Sequence, residues 1–391
     1  MKQARVKKLA TSRIKKGYPM IVEQDFIRSP EVTEGQLVEL SDETGKYLAT
    51  AYFGREKRAI GWIISKNKGN VLDAGYFVSL FEKAKTLRVP FLKDETTTAF
   101  RLFNGEGDGL GGFTIDYYAG YAVFNWYNQG IYSYRSVILE VFLQIFPEIK
   151  GIYEKKRYRT THEETDFVTG EQAPDPLLVL ENGIRYAVHL DDGLMTGIFL
   201  DQRHVRRTLM EEYAAGHSVL NLFSYTGAFS VAASMGGAVK TVSVDVANRS
   251  RKKTEEQFDV NGLPTEDHEI RVMDVFQYIQ YGLRHKLQFD VIVSDPPTFA
   301  RTKKRTFSVE QDYGELIKQL IDLTSPDGVL VLSLNTWTIS REEFFDIIRS
   351  AFADKQQAFE IEAEFGVPAD FPVKEEYPEG NYLKVFFVRK K

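Results

Sequence analysis

From residue 219 onward, short apolar runs alternate with segments of helical period, and this alternation limits the possible folds more than any other feature of the chain. The runs are Val219 to Phe223, Thr241 to Val244, Ile270 to Met273, Phe289 to Val293, Val329 to Leu334 and Tyr382 to Val388. Mostly apolar strand-like runs alternating with helices indicate a mainly parallel sheet covered on both faces. An α/β, doubly wound domain is therefore predicted over residues 181–391.

The preceding half reads differently. At 391 residues the chain exceeds a typical domain of about 150, so two or three modules are expected. Residues 1–70 carry short strand signals at Met20 to Val22, Leu37 to Leu40, Tyr47 to Phe53 and Ala59 to Ile64, punctuated by turn formers, and predict a small β-rich module. In 71–180 a helical pattern (Val71, Phe77, Leu80, Phe81, Ala84, Leu87) leads to the run Thr96 to Phe103 and a glycine-rich stretch, Asn104 to Gly112. The stretch reads as a structural turn, because a phosphate cradle would be followed by a helix and Phe113-Thr-Ile-Asp-Tyr reads as a strand. The polar segment Gly170 to Pro176 is the expected linker.

No apolar run approaches the roughly 18 residues of a membrane span, and no export signal is visible in Met1 to Lys16, so a cytoplasmic protein is expected. The chain contains no cysteine, which removes disulfides, Cys-based zinc sites and thiol nucleophiles. Net charge is −5, yet the cations are clustered: Lys2, Arg5, Lys7, Lys8, Arg13, Lys15 and Lys16; Lys155, Lys156, Arg157 and Arg159; and Arg301, Lys303, Lys304 and Arg305. Each cluster is a candidate phosphate grip or a solvated face.

In an open α/β sheet, ligands bind beyond the carboxyl ends of the strands, so the residues there are read first. The first strand is followed by Asn221-Leu-Phe-Ser-Tyr-Thr-Gly227, the second by Asp245, the third by Asp274 and the fourth by Asp295-Pro-Pro-Thr-Phe299. Asp245 is placed to accept from the two hydroxyls of a ribose, and Asp274 from an adenine amino group. Any one of them alone could be an ordinary helix cap or turn. The loop Asn221 to Gly227 lacks the Gly-x-Gly-x-x-Gly of dinucleotide binding, so the ligand predicted is a nucleoside without a pyrophosphate, a description that S-adenosylmethionine meets.

These motifs, together with Thr196-Gly-Ile-Phe-Leu-Asp-Gln-Arg203, resemble those of bacterial large-subunit (23S) ribosomal RNA methyltransferases. The N-terminal segment with Gly17-Tyr-Pro19 resembles the family's PUA domain, Asn104 to Asp116 a turn of its middle domain, and Glu379-Gly-Asn-Tyr-Leu-Lys384 its last strand. The resemblance implies a Rossmann-like class I methyltransferase domain with a reversed terminal hairpin, a PUA-like RNA-binding domain over 1–70 and a small α+β middle domain over 71–180. It implies S-adenosyl-L-methionine as cofactor and 23S ribosomal RNA as partner, with no membrane association and a homodimer left open. Phe199, Gln202 and Arg203 are carried over as cofactor contacts, beside Asn221, Phe223, Tyr225, Thr226, Gly227, Asp245, Asp274 and Asp295.

Three-domain members of that family are best known for methylating cytosine carbon 5 through a cysteine. Here Asn335, in Ser333-Leu-Asn-Thr336, stands where that cysteine is expected. Asparagine cannot act as the nucleophile. Asp295, Pro296, Pro297 and Phe299, followed by the basic run and by Asn335, resemble instead the enzymes that methylate guanine nitrogen 7. That reading is favoured, with Phe299 stacking on an extruded base. Cytosine carbon-5 methylation without a cysteine, an RNA-binding assembly factor without turnover, and a protein or small-molecule methyltransferase are the alternatives.

Overall fold

The computed structural model describes residues 1–161, 163–264, 266–301 and 306–391. Two compact units share the chain: Met1–Val179, Val188–Thr196 and Ala369–Gly380 make the first, and Leu180–Ala187, Gly197–Pro368 and Asn381–Lys391 the second. Of the third basic cluster, Lys303, Lys304 and Arg305 lie outside the described residues.

The first unit opens with β1 (Lys2–Arg5), α1 (Lys8–Lys16), β2 (Met20–Ile21), β3 (Leu37–Ser41), β4 (Tyr47–Phe53) and β5 (Gly61–Ser65), whose strands form one sheet in the order β1-β3-β4-β5-β2. β1 and α1 are additions to the sequence reading. Only Ala4 of β1, and only Ala10 and Ile14 of α1, are buried, so neither element carries much apolar signal. Then come α2 (Ala74–Leu92), β6 (Ala99–Asn104), β7 (Phe113–Tyr118), β8 (Tyr121–Trp126), α3 (Gln129–Tyr132), α4 (Arg135–Ile145), β9 (Gly151–Lys156) and β10 (Thr165–Gly170), the strands pairing in the order β10-β9-β8-β7-β6. The glycine-rich stretch is the turn between β6 and β7. At Gly107 a side chain is excluded, because a Cβ would stand 1.8 Å from the Pro372 carbonyl oxygen.

The second basic cluster is corrected by its place in this sheet. β9 is an inner strand buried along its whole length. The Lys155 ammonium donates to the Gly193 carbonyl, Arg157 Nη2 donates to the Leu194 carbonyl at 2.6 Å, and Lys156 stands 3.4 Å from Glu154. Burial pushes the Lys155 amine down to about 8. Arg159 alone of the four is exposed. The cluster satisfies main-chain and carboxylate oxygens inside the fold and is no phosphate grip.

The chain continues through β11 (Leu177–Glu181) and β12 (Ile184–Val188), a two-stranded pair, into α5 (Arg203–Thr208) and a π-helical turn at Leu209–Tyr213. The alternating run follows: β13 (Ser218–Leu222), α6 (Ala228–Met235), β14 (Lys240–Asp245), α7 (Ser250–Asp259), β15 (His268–Val272), α8 (Val275–Arg284) and β16 (Phe289–Ser294). A ribbon of β17 (Phe299–Arg301) and β18 (Thr306–Ser308) precedes α9 (Val309–Leu323), β19 (Thr324–Asn335), α10 (Arg341–Asp354), β20 (Phe359–Phe365) and β21 (Leu383–Lys390).

Seven strands of the second unit form one sheet, β15-β14-β13-β16-β19-β21-β20. The first five run parallel, and β21 is antiparallel to both its neighbours, the reversed terminal hairpin the resemblance implied. Alternate residues of the central strands feed two cores. Leu220, Val242, Ile292 and Leu330 pack with α8, α9 and α10, while Val219, Val291 and Val331 pack with Leu209 and Phe229 on the other face. Strand order reverses at β13, which opens a crevice at the carboxyl ends. Among the described residues no helix is long and apolar enough to cross a membrane.

Candidate active site

At that crevice lies a cavity of about 440 Å³. Phe223 and Tyr225 enter it from the loop after β13, Asp245 from β14, Asp274 from β15, and Asp295, Pro296 and Pro297 from β16. Asn335 closes it from the end of β19, and Phe199 and Gln202 from the segment before α5. β14, β15, β16 and β19 thus deliver one acidic or amide group each to a common volume, and the loop after β13 adds two aromatic rings.

The loop after β13 has an unusual backbone. Phe223 and Tyr225 have φ of 58° and 53°, left-handed values that cost a non-glycine residue about 1 to 3 kcal/mol when strained and that cluster at ligand sites. Gly227 follows at φ 80°, and a Cβ there would stand 2.5 Å from Thr254 Cγ2, so the turn into α6 is closed to larger residues. Asp245 secures the loop by accepting from the Tyr225 amide at 2.9 Å and the Ala247 amide at 2.8 Å. Its carboxylate retains lone pairs for a ligand in the cavity it lines. Asp274 does cap α8, accepting from the Gln277 amide at 3.1 Å, and it lines the cavity as well.

Asp295 is the electrostatic centre. Burial pushes its carboxyl up to about 6, with the charge of Asp201 adding and hydrogen bonds from Ser333 and Gln202 opposing. Gln202 Nε2 donates to Asp295 Oδ2 at 3.1 Å and to Ser333 Oγ at 2.8 Å, while its Oε1 is buried with no partner among the described residues. A buried acceptor left unpaired costs about 1 to 3 kcal/mol, and a ligand N–H or O–H relieves it. Behind this wall Arg206 forms a buried bidentate pair with Glu181, at 2.6 and 2.7 Å, and donates to the Phe199 carbonyl at 2.7 Å. The apolar side of the cavity is aromatic: the rings of Phe223, Phe276 and Phe307 lie within 5.3 to 6.3 Å of one another.

Five predicted residues do not line the cavity. Asn221 donates inside the core to Ser230 Oγ at 3.0 Å, and Thr226 to the Gly197 carbonyl at 2.6 Å. Gly227 acts through the turn. Arg203 is buried, at 3 % exposure, away from the lining. Phe299 is 61 % exposed, so it is not a core residue, and its neighbours Thr298 and Ala300 contribute to the wall instead. Sequence reasoning missed Asp201, Phe276, Thr298, Phe307, and the pair Arg206 and Glu181. Phe276 was within reach, two residues past Asp274, whereas Phe307 arrives only through the β17–β18 ribbon.

The residues fit S-adenosylmethionine. Its ribose hydroxyls, adenine amino group and methionine ammonium are all donors, and the cavity offers acceptors in Asp245, Asp274, Asp295 and the unpaired Gln202 Oε1, beside an aromatic wall for a flat base.

Comparison with known proteins agrees. The family model of S-adenosylmethionine-dependent methyltransferases matches residues 149–375, and that of PUA-like domains residues 4–66. YwbD of Bacillus subtilis (strain 168), provisionally named a ribosomal RNA large subunit methyltransferase, is 48% identical over 396 aligned residues, covering 100% of both chains. Ribosomal RNA large subunit methyltransferase I of Photobacterium profundum is 30% identical, over 93% of this chain and 92% of its own. The solved structure of SMU.776 complexed with SAH superposes with a TM-score of 0.93 at 41% identity, covering 100% of each chain. A second structure, from Streptococcus mutans, gives 0.91 at 40% identity over the same share. The chain belongs to the S-adenosylmethionine-dependent methyltransferase family, and it carries a PUA-like domain in its N-terminal part.

Proposed function

We propose that this S-adenosylmethionine-dependent methyltransferase acts on a base of 23S ribosomal RNA and transfers the methyl group to a heteroatom, guanine nitrogen 7 before others. Its relatives named as ribosomal RNA large subunit methyltransferases support the substrate class. One observation carries the choice of atom: Asn335, an amide, lines the catalytic cavity of a chain that has no cysteine. Cytosine carbon 5 becomes nucleophilic only after a thiolate adds to the ring, whereas guanine nitrogen 7 already bears a lone pair.

The cofactor supplies an electrophilic methyl group bound to a sulfonium. Asp245 accepts from the ribose hydroxyls, Asp274 from the adenine amino group, and Gln202 Oε1 from the methionine end. Asn335, whose amide makes no side-chain hydrogen bond with the described residues, orients the acceptor base. Catalysis is then chiefly alignment, with no proton to remove. Methylation at nitrogen 7 leaves the base cationic, and Asp295, ionised above about pH 6, lies in the cavity wall to balance that charge. Phe299 stacks on the extruded base. The modules proposed are 1–70 for RNA binding, 71–180 as a middle domain and 181–391 for catalysis, with Lys7, Lys8, Lys15 and Lys16 exposed for phosphates.

Nucleoside mass spectrometry of deproteinised 23S RNA treated with the enzyme tests this, with 7-methylguanosine expected. Asn335→Ala is expected to slow transfer without abolishing it. If 5-methylcytosine forms, or the enzyme is trapped on RNA containing 5-fluorocytosine, the reading is overturned.

A further inference from the structure

The first unit holds a second cavity, of about 750 Å³, that none of the chemistry above uses. Its wall combines the start of α2, the turn between β6 and β7, and Lys374 of the segment Ala369–Gly380. The lining is polar, with Asn70 and Ser79 among its donors.

Its two cations have no partner in contact among the described residues. Lys83, from α2, and Lys374 both line the cavity, and neither makes an ion pair or a side-chain hydrogen bond with a described residue. Two carboxylates line it too, but each is committed. Asp108 holds Arg88 at 2.5 and 2.6 Å and accepts from the Asn104 amide at 2.5 Å. Asp73 caps α2, accepting from the Tyr76 amide at 2.9 Å. What remains is two ammonium groups with no carboxylate in contact, Lys83 exposed and Lys374 influenced through space by Glu376, Asp108 and Glu106.

Lys374 is half-buried, and its desolvation lowers the amine's pKa. An ammonium drawn out of water without an acceptor is unfavourable, and an anionic ligand removes that penalty. The turn passes close to the amine: at Gly109, whose φ of +118° favours glycine, a Cβ would stand in ordinary contact, 3.8 Å from Lys374 Nζ and 3.4 Å from Leu80 Cδ1. Two flexible point charges beside amide and hydroxyl donors suit phosphodiester oxygens, which accept from many directions, better than a planar carboxylate, which favours an arginine fork.

We propose that this cavity binds a backbone phosphate of the RNA substrate, as a subsite separate from the catalytic cavity; the proposal rests on the reading that the substrate is RNA. The subsite is blind to sequence, sets the position of the strand, and draws its affinity from counterion release.

The test is lysine protection on the full chain. Acylation of Lys83 and Lys374 by an amine-reactive ester is followed by peptide mass spectrometry with no addition, with deproteinised 23S RNA, with tripolyphosphate, and with SAH. RNA is expected to slow acylation at both lysines at least fivefold, with SAH leaving them unchanged. If RNA accepts methyl groups while both lysines react at the free rate, the subsite is refuted and the proposed function stands. Protection by tripolyphosphate without protection by RNA identifies a small phosphate ligand and also refutes it. Neither methyl transfer nor protection brings down both readings. In a second arm, Lys83→Gln with Lys374→Gln is expected to weaken RNA binding about tenfold and to reduce the slope of log affinity against log salt by about 0.7, the value for one single-strand phosphate. SAH affinity, measured by calorimetry, should stay at the wild-type value and so report an intact fold. An unchanged salt slope would sink the proposal.

Discussion

Replacing Asp295 by Asn should stabilise the ligand-free protein at neutral pH while destroying its activity. Burial raises the carboxyl from 3.8 to about 6, so ionising it inside the cavity is harder than in the unfolded chain. For a carboxylate with a raised folded-state value, the unfolded state loses its proton first. Stability therefore falls as pH rises from about 4 to about 6 and is level above. At about 1.4 kcal/mol per unit the cost at pH 7.5 has an upper limit of roughly 3 kcal/mol, and partial contact with solvent reduces it to about 1 to 2. Asn carries no charge, and its amide can donate to the unpaired Gln202 Oε1. Thermal unfolding of both proteins at pH 4.5 and pH 7.5, without cofactor, gives the comparison. Asp295→Asn should melt a few degrees higher at pH 7.5, at about 2 to 4 °C per kcal/mol, with the gap shrinking to roughly a third at pH 4.5. A gap independent of pH, or a variant less stable at pH 7.5, would refute the argument that a buried charge is held there at a cost.

Asp245→Ala should weaken SAH binding by calorimetry tenfold or more, since each charge-assisted hydrogen bond contributes about 1.5 to 3 kcal/mol. Gly227→Ala places a methyl group 2.5 Å from Thr254 Cγ2 at a left-handed φ, and a loss of about 1 to 3 kcal/mol in denaturant unfolding is expected, with weaker cofactor binding. Glu181→Gln leaves the Arg206 guanidinium buried without its counter-charge and should cost about 3 to 5 kcal/mol. The double replacement Glu181→Met with Arg206→Met should cost less than the single one, and equal losses would show that the pair's charges are not what matters.

The catalytic sheet was readable because burial on both faces leaves so plain a mark. β13 and β16 are largely apolar, β14 and β15 alternate more, and the strand ends, where polarity resumes, are where Asp245, Asp274 and Asp295 stand. The same burial hid the role of β9. Lys155 and Lys156 look like surface cations in sequence, and only their position inside the sheet, with the Gly193 carbonyl and Glu154 as partners, turns them inward. β20 was missed for the opposite reason. As an edge strand it alternates half-buried and exposed residues, Phe-Glu-Ile-Glu-Ala-Glu-Phe, a period-2 signal without a continuous core. At the site, residues next to a strand end were found, and those brought in by tertiary contact were not: Phe307 reaches the cavity through a ribbon, and Arg206 acts from behind the wall through the Phe199 carbonyl.

The segment Ala369–Gly380 interrupts the terminal hairpin of the catalytic sheet, leaving after β20 and returning before β21, yet it belongs to the first unit. There the Asp370 carboxylate accepts from the Arg101 amide at 2.8 Å, and the Asp370 carbonyl accepts from Arg88 at 3.0 Å. Synthesis runs from the N-terminus, so the first unit must wait for residues 369–380, which follow most of the second unit, before these donors are satisfied. No single cut separates two self-sufficient halves. A fragment ending before Ala369 leaves buried Arg88 without one of its acceptors, and the remainder cannot supply it while keeping its own final strand in register. Selection acting on the first unit therefore also constrains the sequence between the last two strands of the second, and exchange of modules between relatives would have to carry that segment along.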